Sequence, residues 1–293
     1  MNSIVCIKQT PDSNSVYIDP ITGQVDYERF VQILNPADAC AVEAAVRLKE
    51  QSGGSVIAIT VGPQDAEGAL RAALAIGADE ALRLWNPQAS NWGPFTVSAA
   101  LAACIQREVP EVDLVLCGDS SSDWSSGIVG PALAEKLDLP QITGVMQLNT
   151  ASEWGQDRVK LQVTRKLERG YRELLAAQLP VLLTVTGDLN EPRYPSLPAH
   201  LAALKATIPI IDPLPLVGND NEAEADETAI LEIHTPRPLP RRIAAPNSHH
   251  SAFERIGEIV ASGAAGRKTS LVEGSPEELA RKLVEFLRER GFT

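Results

Sequence analysis

Residues 55 to 85 read SVIAITVGPQDAEGALRAALAIGADEALRLW. Ser55–Val61 reads as an apolar strand with β-branched residues, closed by Gly62-Pro63. Asp65–Ile76 carries alanine and leucine at helical spacing and stops at Gly77, a residue suited to a helix C-cap. Glu80–Trp85 reads as a third strand. Strand, helix and strand within about 30 residues form a parallel βαβ unit.

The same alternation extends both ways. Upstream, Ser3–Lys8 (SIVCIK) reads as a strand. Ala39–Lys49 reads as a helix with Ala41, Val42, Ala45, Val46 and Leu48 on one side and Glu43, Arg47 and Lys49 on the other. Asp38 stands at its N-cap position. Downstream, Thr96–Glu108 is an alanine-rich helix, Asp113–Cys117 a strand and Gly127–Leu137 a helix. Apolar strands between amphipathic helices indicate an α/β fold, a mostly parallel Rossmann-like sheet covered on both faces.

Beyond residue 140 the pattern changes. Gly144–Leu148, Arg158–Leu167 and Tyr171–Leu175 alternate in character and are separated by Trp154–Asp157 and Glu168–Gly170. They read as an antiparallel extension of one edge. Pro180–Val185 is a further buried strand, and His200–Ala206 a short helix. Between them, Pro192, Pro195 and Pro198 oppose regular structure. Domains are expected at 1–207, an acidic linker at 208–236, and a C-terminal arm and helix at 237–293. Asp220–Glu227 is acidic and polar, and Arg237–Asn247 basic and proline-rich. Ser275-Pro276-Glu277-Glu278 supplies an N-cap, a proline at N1 and a capping-box glutamate. Leu279, Leu283, Phe286 and Leu287 form that helix's apolar stripe.

Composition excludes several classes. The chain has 293 residues, 44% of them hydrophobic and 22% charged, as a globular protein does. Net charge is −12 and aromatics are 4%, which opposes nucleic-acid binding by phosphate attraction or base stacking. No apolar run reaches the roughly 20 residues of a membrane span, so no membrane insertion is expected. The opening MNSIVCIKQT lacks the pattern of a secretory signal, and the expected location is cytoplasmic. Cys6, Cys40, Cys104 and Cys117 form no C-x-x-C pair and read as buried, reduced thiols. His200, His234, His249 and His250 all lie in the last third, away from the parallel strands. No catalytic motif is present, so catalytic and metal-binding residues are both read as none.

The strand ends carry more information. The Asp113–Cys117 strand runs into Gly118-Asp119-Ser120-Ser121-Ser122-Asp123-Trp124-Ser125-Ser126-Gly127-Ile128-Val129. Small residues let backbone N–H groups approach a phosphate, hydroxyls add donors, and a helix start adds partial positive charge. Asp119 and Asp123 are awkward beside phosphate and suit ribose hydroxyls or a helix cap. A solvated turn is the plain alternative.

Longer motifs point to a family. IVCIKQTPDS resembles the VxVKxVPD opening of electron transfer flavoprotein β subunits, FixA-like members included. Ile33–Asp38 with AVEAAVRLKE resembles their INPxDxxAVEEAxRLKE segment. VGP with ALRAALAIGADEALRL, and PVLLTV with LNEPRYPSLP, match two more, so the likeness runs over residues 1 to about 207. The resemblance implies a non-catalytic electron carrier subunit. It would pair with an α subunit that holds most of the redox-active FAD, and bury a structural AMP of its own. Carried over by motif, the AMP contacts would be Cys6, Asn35, Pro36, Ala37, Asp38, Val61 and Gly118 to Val129. The NEPRYPSLP segment, at about 188–200, would be the docking loop for flavin dehydrogenases, with Leu197 as its anchor. Electrons would pass to a quinone oxidoreductase or another acceptor.

The chain departs from the family at one place. Where the family reads close to GxQxxDGDTGQVGP, Ser120 replaces the glutamine and Trp124-Ser125-Ser126 replace GDT. Trp124 has two readings: stacking on a base or flavin, or covering a pocket wall. The departure leaves two nucleotides open at the β site, AMP or a second, redox-active FAD as in bifurcating members. A nucleotide-hydrolysing enzyme is the reading from another class, and it lacks a general base or metal cluster.

Overall fold

The structure is a computed structural model that describes residues 1–17, 30–109, 111–151, 160–217, 251–256 and 274–289. The chain divides into two compact units, Met1–Thr235 and Pro236–Thr293.

The first unit is built on a nine-stranded sheet. β1 (Ser3–Cys6), β4 (Val56–Val61), β5 (Glu80–Leu84), β6 (Leu114–Gly118) and β10 (Val181–Val185) are parallel to their neighbours. Every residue of β1 and β10 is buried, as strands covered on both faces must be. β11 (Ile210–Ile211) extends the edge beyond β5. At the other edge, β7 (Gln141–Ala151) runs parallel to β10, and β8 (Lys160–Lys166) and β9 (Arg172–Gln178) follow antiparallel. The order is β11-β5-β4-β1-β6-β10-β7-β8-β9. A small antiparallel ladder joins β2 (Gln9–Pro11) and β3 (Gln32–Leu34). The fold is the α/β architecture with an antiparallel edge that the alternation implied.

Helices cover both faces. α1 (Pro36–Ser52) and α2 (Glu67–Ile76) bury Val42, Val46, Leu70 and Ala73 with Val5, Leu116 and Leu183. α3 (Pro94–Glu108) and α4 (Val129–Lys136) bury Leu101, Ile105 and Leu133 with Ile4, Ile59 and Val115 on the opposite face. α5 (Leu197–Lys205) lies beside α2, and α6 (Leu214–Val217) ends the described part of this unit. In the second unit, helix Pro276–Glu289 opens with the expected capping box. Glu278 Oε2 accepts from Ser275 N at 3.0 Å, and Ser275 Oγ from Glu278 N at 3.4 Å.

Several boundaries differ from expectation, each for a local reason. α1 begins at Pro36 with Asn35 as its N-cap, because proline's fixed φ suits the first helical position. Asp38 is therefore inside the first turn and is not the cap. Glu43 lies among the buried residues of α1 and not on its polar side. α4 begins at Val129 because Gly127, at φ 64°, cannot be helical. α5 begins at Leu197, since Ser196 caps it and Pro198 fits the first turn. β7 is longer than expected and bulges between Val145 and Gln147. The β2–β3 ladder and β11 were not foreseen. Asp220–Glu227, Arg237–Asn247, Trp154–Asp157, His234, His249 and His250 lie outside the described residues.

Candidate functional site

Successive crossovers wind the chain from β1 to β4 and β5, then return it to β6 on the other side of β1. β1 and β6 thus flank the point where strand order reverses. In open parallel sheets, ligands bind at that point, outside the carboxyl ends of the strands. Cys6 ends β1, Gly118 ends β6, and Val61 ends neighbouring β4. Asn35 to Asp38 form the start of α1, which follows β1 in the same unit. The predicted residues therefore gather at one edge.

Two buried side chains hold that edge together. Asn35, 2% exposed, donates from Nδ2 to Ser120 O at 3.0 Å, and its Oδ1 accepts from Ser122 N at 3.1 Å. Asp38, 5% exposed, accepts from Lys8 N at 2.7 Å and from Gly118 N at 2.9 Å. Burial pushes its carboxyl up to about 7, against the opposing pull of the Lys8 and Gly118 amides and the Asn35 side chain. Both side chains are spent on tying the ends of β1 and β6 to α1. Ala37 is buried beside them and Pro36 is exposed. Gly118 has no room for a side chain: a Cβ there would lie 2.3 Å from Asp38 Oδ1.

The loop beyond Gly118 is internally braced. Asp119 N donates to Val185 O, and burial pushes the Asp119 carboxyl above its ordinary value. Ser122 Oγ donates to Thr10 Oγ1 at 3.0 Å, and both N and Oγ of Ser125 donate to Ser121 O. Asp123 forms an ion pair with Lys8 Nζ at 2.6 Å. Partial burial works against the Asp123 charge, but the Lys8 hydrogen bond and charge, with the hydrogen bonds from Ser121 and the Trp124 amide, together outweigh it and hold the carboxyl low. Lys8 thereby offsets the acid that made this loop awkward for an anion. Ser126 is exposed, and Trp124 is 68% exposed.

At its end the loop changes hand. Gly127 is left-handed, Ile128 is right-handed, and α4 follows with no side-chain cap on its first turn. Such a left–right pair turns successive N–H groups inward, which makes an anion-binding concavity at a helix start. This backbone fits a phosphate and fits no metal. Among the described residues, no group of three or more His, Cys, Asp or Glu side chains is placed to hold a metal ion. Cys6 and Cys117 are register partners on adjacent strands. The hydrogen bond to Cys117, then burial, pushes the Cys6 thiol well up, which disfavours the thiolate form.

Leu197 lies apart from this edge. It opens α5 and is 70% exposed, three residues after Tyr194 at 98%. The segment before it is fastened to α1 by Arg193, which reaches buried Glu43 at 2.8 Å and Glu50 at 2.6 Å. Lys8, Thr10, Glu43 and Arg193 were absent from the predicted site. The detectable signal for the last pair was a lone arginine in a proline-bound loop.

Comparison with known proteins identifies a family. The Electron transfer flavoprotein domain family matches residues 23–215. The electron transfer flavoprotein subunit beta of Thermoanaerobacterium thermosaccharolyticum is 37% identical over 291 residues, 99% of each chain. Protein FixA of Azotobacter vinelandii is 31% identical over 88% of this chain and 92% of its own. The caffeyl-CoA reductase-Etf complex subunit CarD of Acetobacterium woodii is 41% identical over 72% of this chain and 78% of its own. The family match and this full-length likeness together make the chain a member of the electron transfer flavoprotein family, among its β subunits and FixA proteins.

Proposed function

We propose that the chain is the β-type subunit of a heterodimeric electron carrier and holds an AMP at the β1–β6 edge. The observation that carries this reading is the Gly127–Ile128 change of hand leading into the uncapped start of α4. Backbone amides from Gly127 to Val129 would take the phosphate, with the Ser126 hydroxyl beside them. Cys6, the Asn35–Asp38 turn and Val61 would border the rest of the nucleotide. The chain has no catalytic residues of its own. FAD, held mainly by the α subunit, supplies the redox chemistry, and this chain helps to shape its pocket. Leu197 docks flavin dehydrogenases, and electrons leave to a quinone oxidoreductase or similar acceptor. The cytoplasm is the proposed location. No helix among the described residues is long and apolar enough to cross a membrane.

A second reading has one specific support. A relative at 41% identity is named as part of a caffeyl-CoA reductase-Etf complex. In that reading the same edge holds a second, redox-active FAD and the complex bifurcates electrons.

The test is the nucleotide content of the purified αβ complex, by absorbance and by chromatography after denaturation. One FAD and one AMP per complex is the expected result. Two FAD would replace the first reading by the second, and no nucleotide beyond the α-subunit FAD would remove both.

A further inference from the structure

Residues between β10 and α5 have no helix or strand of their own up to Ser196. Such a segment keeps one conformation only where its polar groups are held. From Asn190 to Arg193 the holding groups come from α1. Cys40 Sγ donates to Asn190 O at 3.4 Å and Asn190 Nδ2 to Cys40 O at 3.0 Å. Arg47 Nη2 donates to Glu191 O at 3.1 Å. Arg193 donates from its backbone N, Nε and Nη2 to Glu43, and from Nη1 and Nη2 to Glu50.

Glu43 is the unusual member. Its side chain is 1% exposed, and a carboxylate so buried is costly unless it is paired and hydrogen-bonded. Burial pushes it up, but Arg193 and then Arg47 outweigh that and hold it below the ordinary glutamate value. Glu43 and Glu50 lie two turns apart on one helix face, and the planar guanidinium fork spans both, which a single ammonium cannot do. Immediately after this clamp the chain presents Tyr194 and Leu197 to solvent. At the far end of α5, Arg71 Nη1 holds the carbonyls of Ala203, Leu204 and Ala206 at 2.8, 3.0 and 3.0 Å. The exposed residues are too bare of contacts to fix themselves, so their place is set by an arginine at each end.

We infer that Glu43 and Arg193 are positioning residues for partner docking, an inference that rests on the docking role proposed for Leu197. The clamp holds the anchor in its bound geometry beforehand, so less ordering is lost when a dehydrogenase closes on it.

Cys40 supplies the readout. It is 4% exposed beneath the clamped segment, so iodoacetamide reaches it only when the segment lifts. The experiment uses the αβ complex with Arg193→Gln, Arg193→Lys, Glu43→Gln and Leu197→Ala. It measures Cys40 alkylation by peptide mass spectrometry, nucleotide content, and steady-state FAD reduction by a flavin dehydrogenase that reduces the wild-type complex. Arg193→Gln is expected to speed Cys40 alkylation and raise KM for the dehydrogenase about tenfold, the order expected when one ordered charge pair is lost, at unchanged kcat and nucleotide content. Arg193→Lys should recover part of both effects. Leu197→Ala should raise KM while Cys40 stays protected. Faster alkylation with unchanged KM in Arg193→Gln, while Leu197→Ala raises KM, would show the clamp to be structural only and overturn the inference. Unchanged KM in Leu197→Ala would instead overturn the docking reading. Glu43→Gln carries the greater risk of misfolding; Arg193→Gln, on a partly exposed side chain, decides the matter alone.

Discussion

Asp38 shows how one buried side chain can set the spacing of two strand ends. Its two oxygens take the Lys8 and Gly118 amides and so fix the gap between β1 and β6. Gly118 is the complement of that carboxylate. Its need for glycine is one of space, since an added Cβ would also lie 2.9 Å from Ala37 Cβ. Gly118→Ala is expected to destabilise the chain by about 1–3 kcal/mol, as overpacking does, and to lower the bound nucleotide. Chemical denaturation and nucleotide release measure the two effects, and an unchanged midpoint would refute the first. Asp38 also sets a pH dependence. Its folded value of about 7 lies above the ordinary 3.8, so the fold retains the proton longer than the unfolded chain. That contribution is full below the unfolded value and is lost as pH rises through the folded one. Melting temperature should therefore fall between about pH 4 and pH 7 by more in the wild type than in Asp38→Asn. Parallel curves would show that Asp38 does not titrate there. Sequence reading found Asp38 but misjudged it as a cap, because periodicity shows which residues share a face and not which carboxylate turns inward.

Among the elements, the legible ones were those whose pattern is local. β1, β4 and β10 are apolar but for one hydroxyl residue each, and Gly77 ends α2 as its type suggests. What escaped depends on partners distant in sequence. The buried charge of Glu43 makes sense only beside Arg193, and α1 is a helix that a polar residue on its inner face would seem to spoil. The loop before α4 reads from composition as an anion site or a solvated turn, and its change of hand at Gly127 is a matter of dihedral angles that composition does not show. That element yields a direct test. Ser126→Glu adds a carboxylate beside the proposed phosphate cradle and should lower AMP content severalfold by like-charge repulsion. Full AMP occupancy with normal melting would remove the phosphate from this loop.

For the molecule as a whole, the open question is what the second unit does. The family match ends at residue 215, yet the Thermoanaerobacterium relative aligns over nearly the whole chain. Helix Pro276–Glu289 carries Leu283 and Val284 at 58% and 46% exposure. We propose that residues from about 237 onward pair with the α subunit. A chain ending before Pro236 should keep its melting temperature and lose co-purification with α; undiminished pairing would show the contact to lie elsewhere. The location of these contacts was not legible, since an apolar stripe states that something covers it but not what.

The strand order has a consequence for how the chain is made. β10 lies between β6 and β7, yet it is synthesised after β7, β8 and β9. On the ribosome, the antiparallel strands emerge before the strand that will join them to the sheet. Until Val181–Val185 leaves the exit tunnel, β6 and β7 each present an open edge, and such edges recruit neighbouring chains. The exposed interval thus runs from the emergence of Gln141 to the emergence of Val185, and slow codons just beyond Val185 would lengthen it, because they hold β10 inside the tunnel while β6 and β7 wait outside.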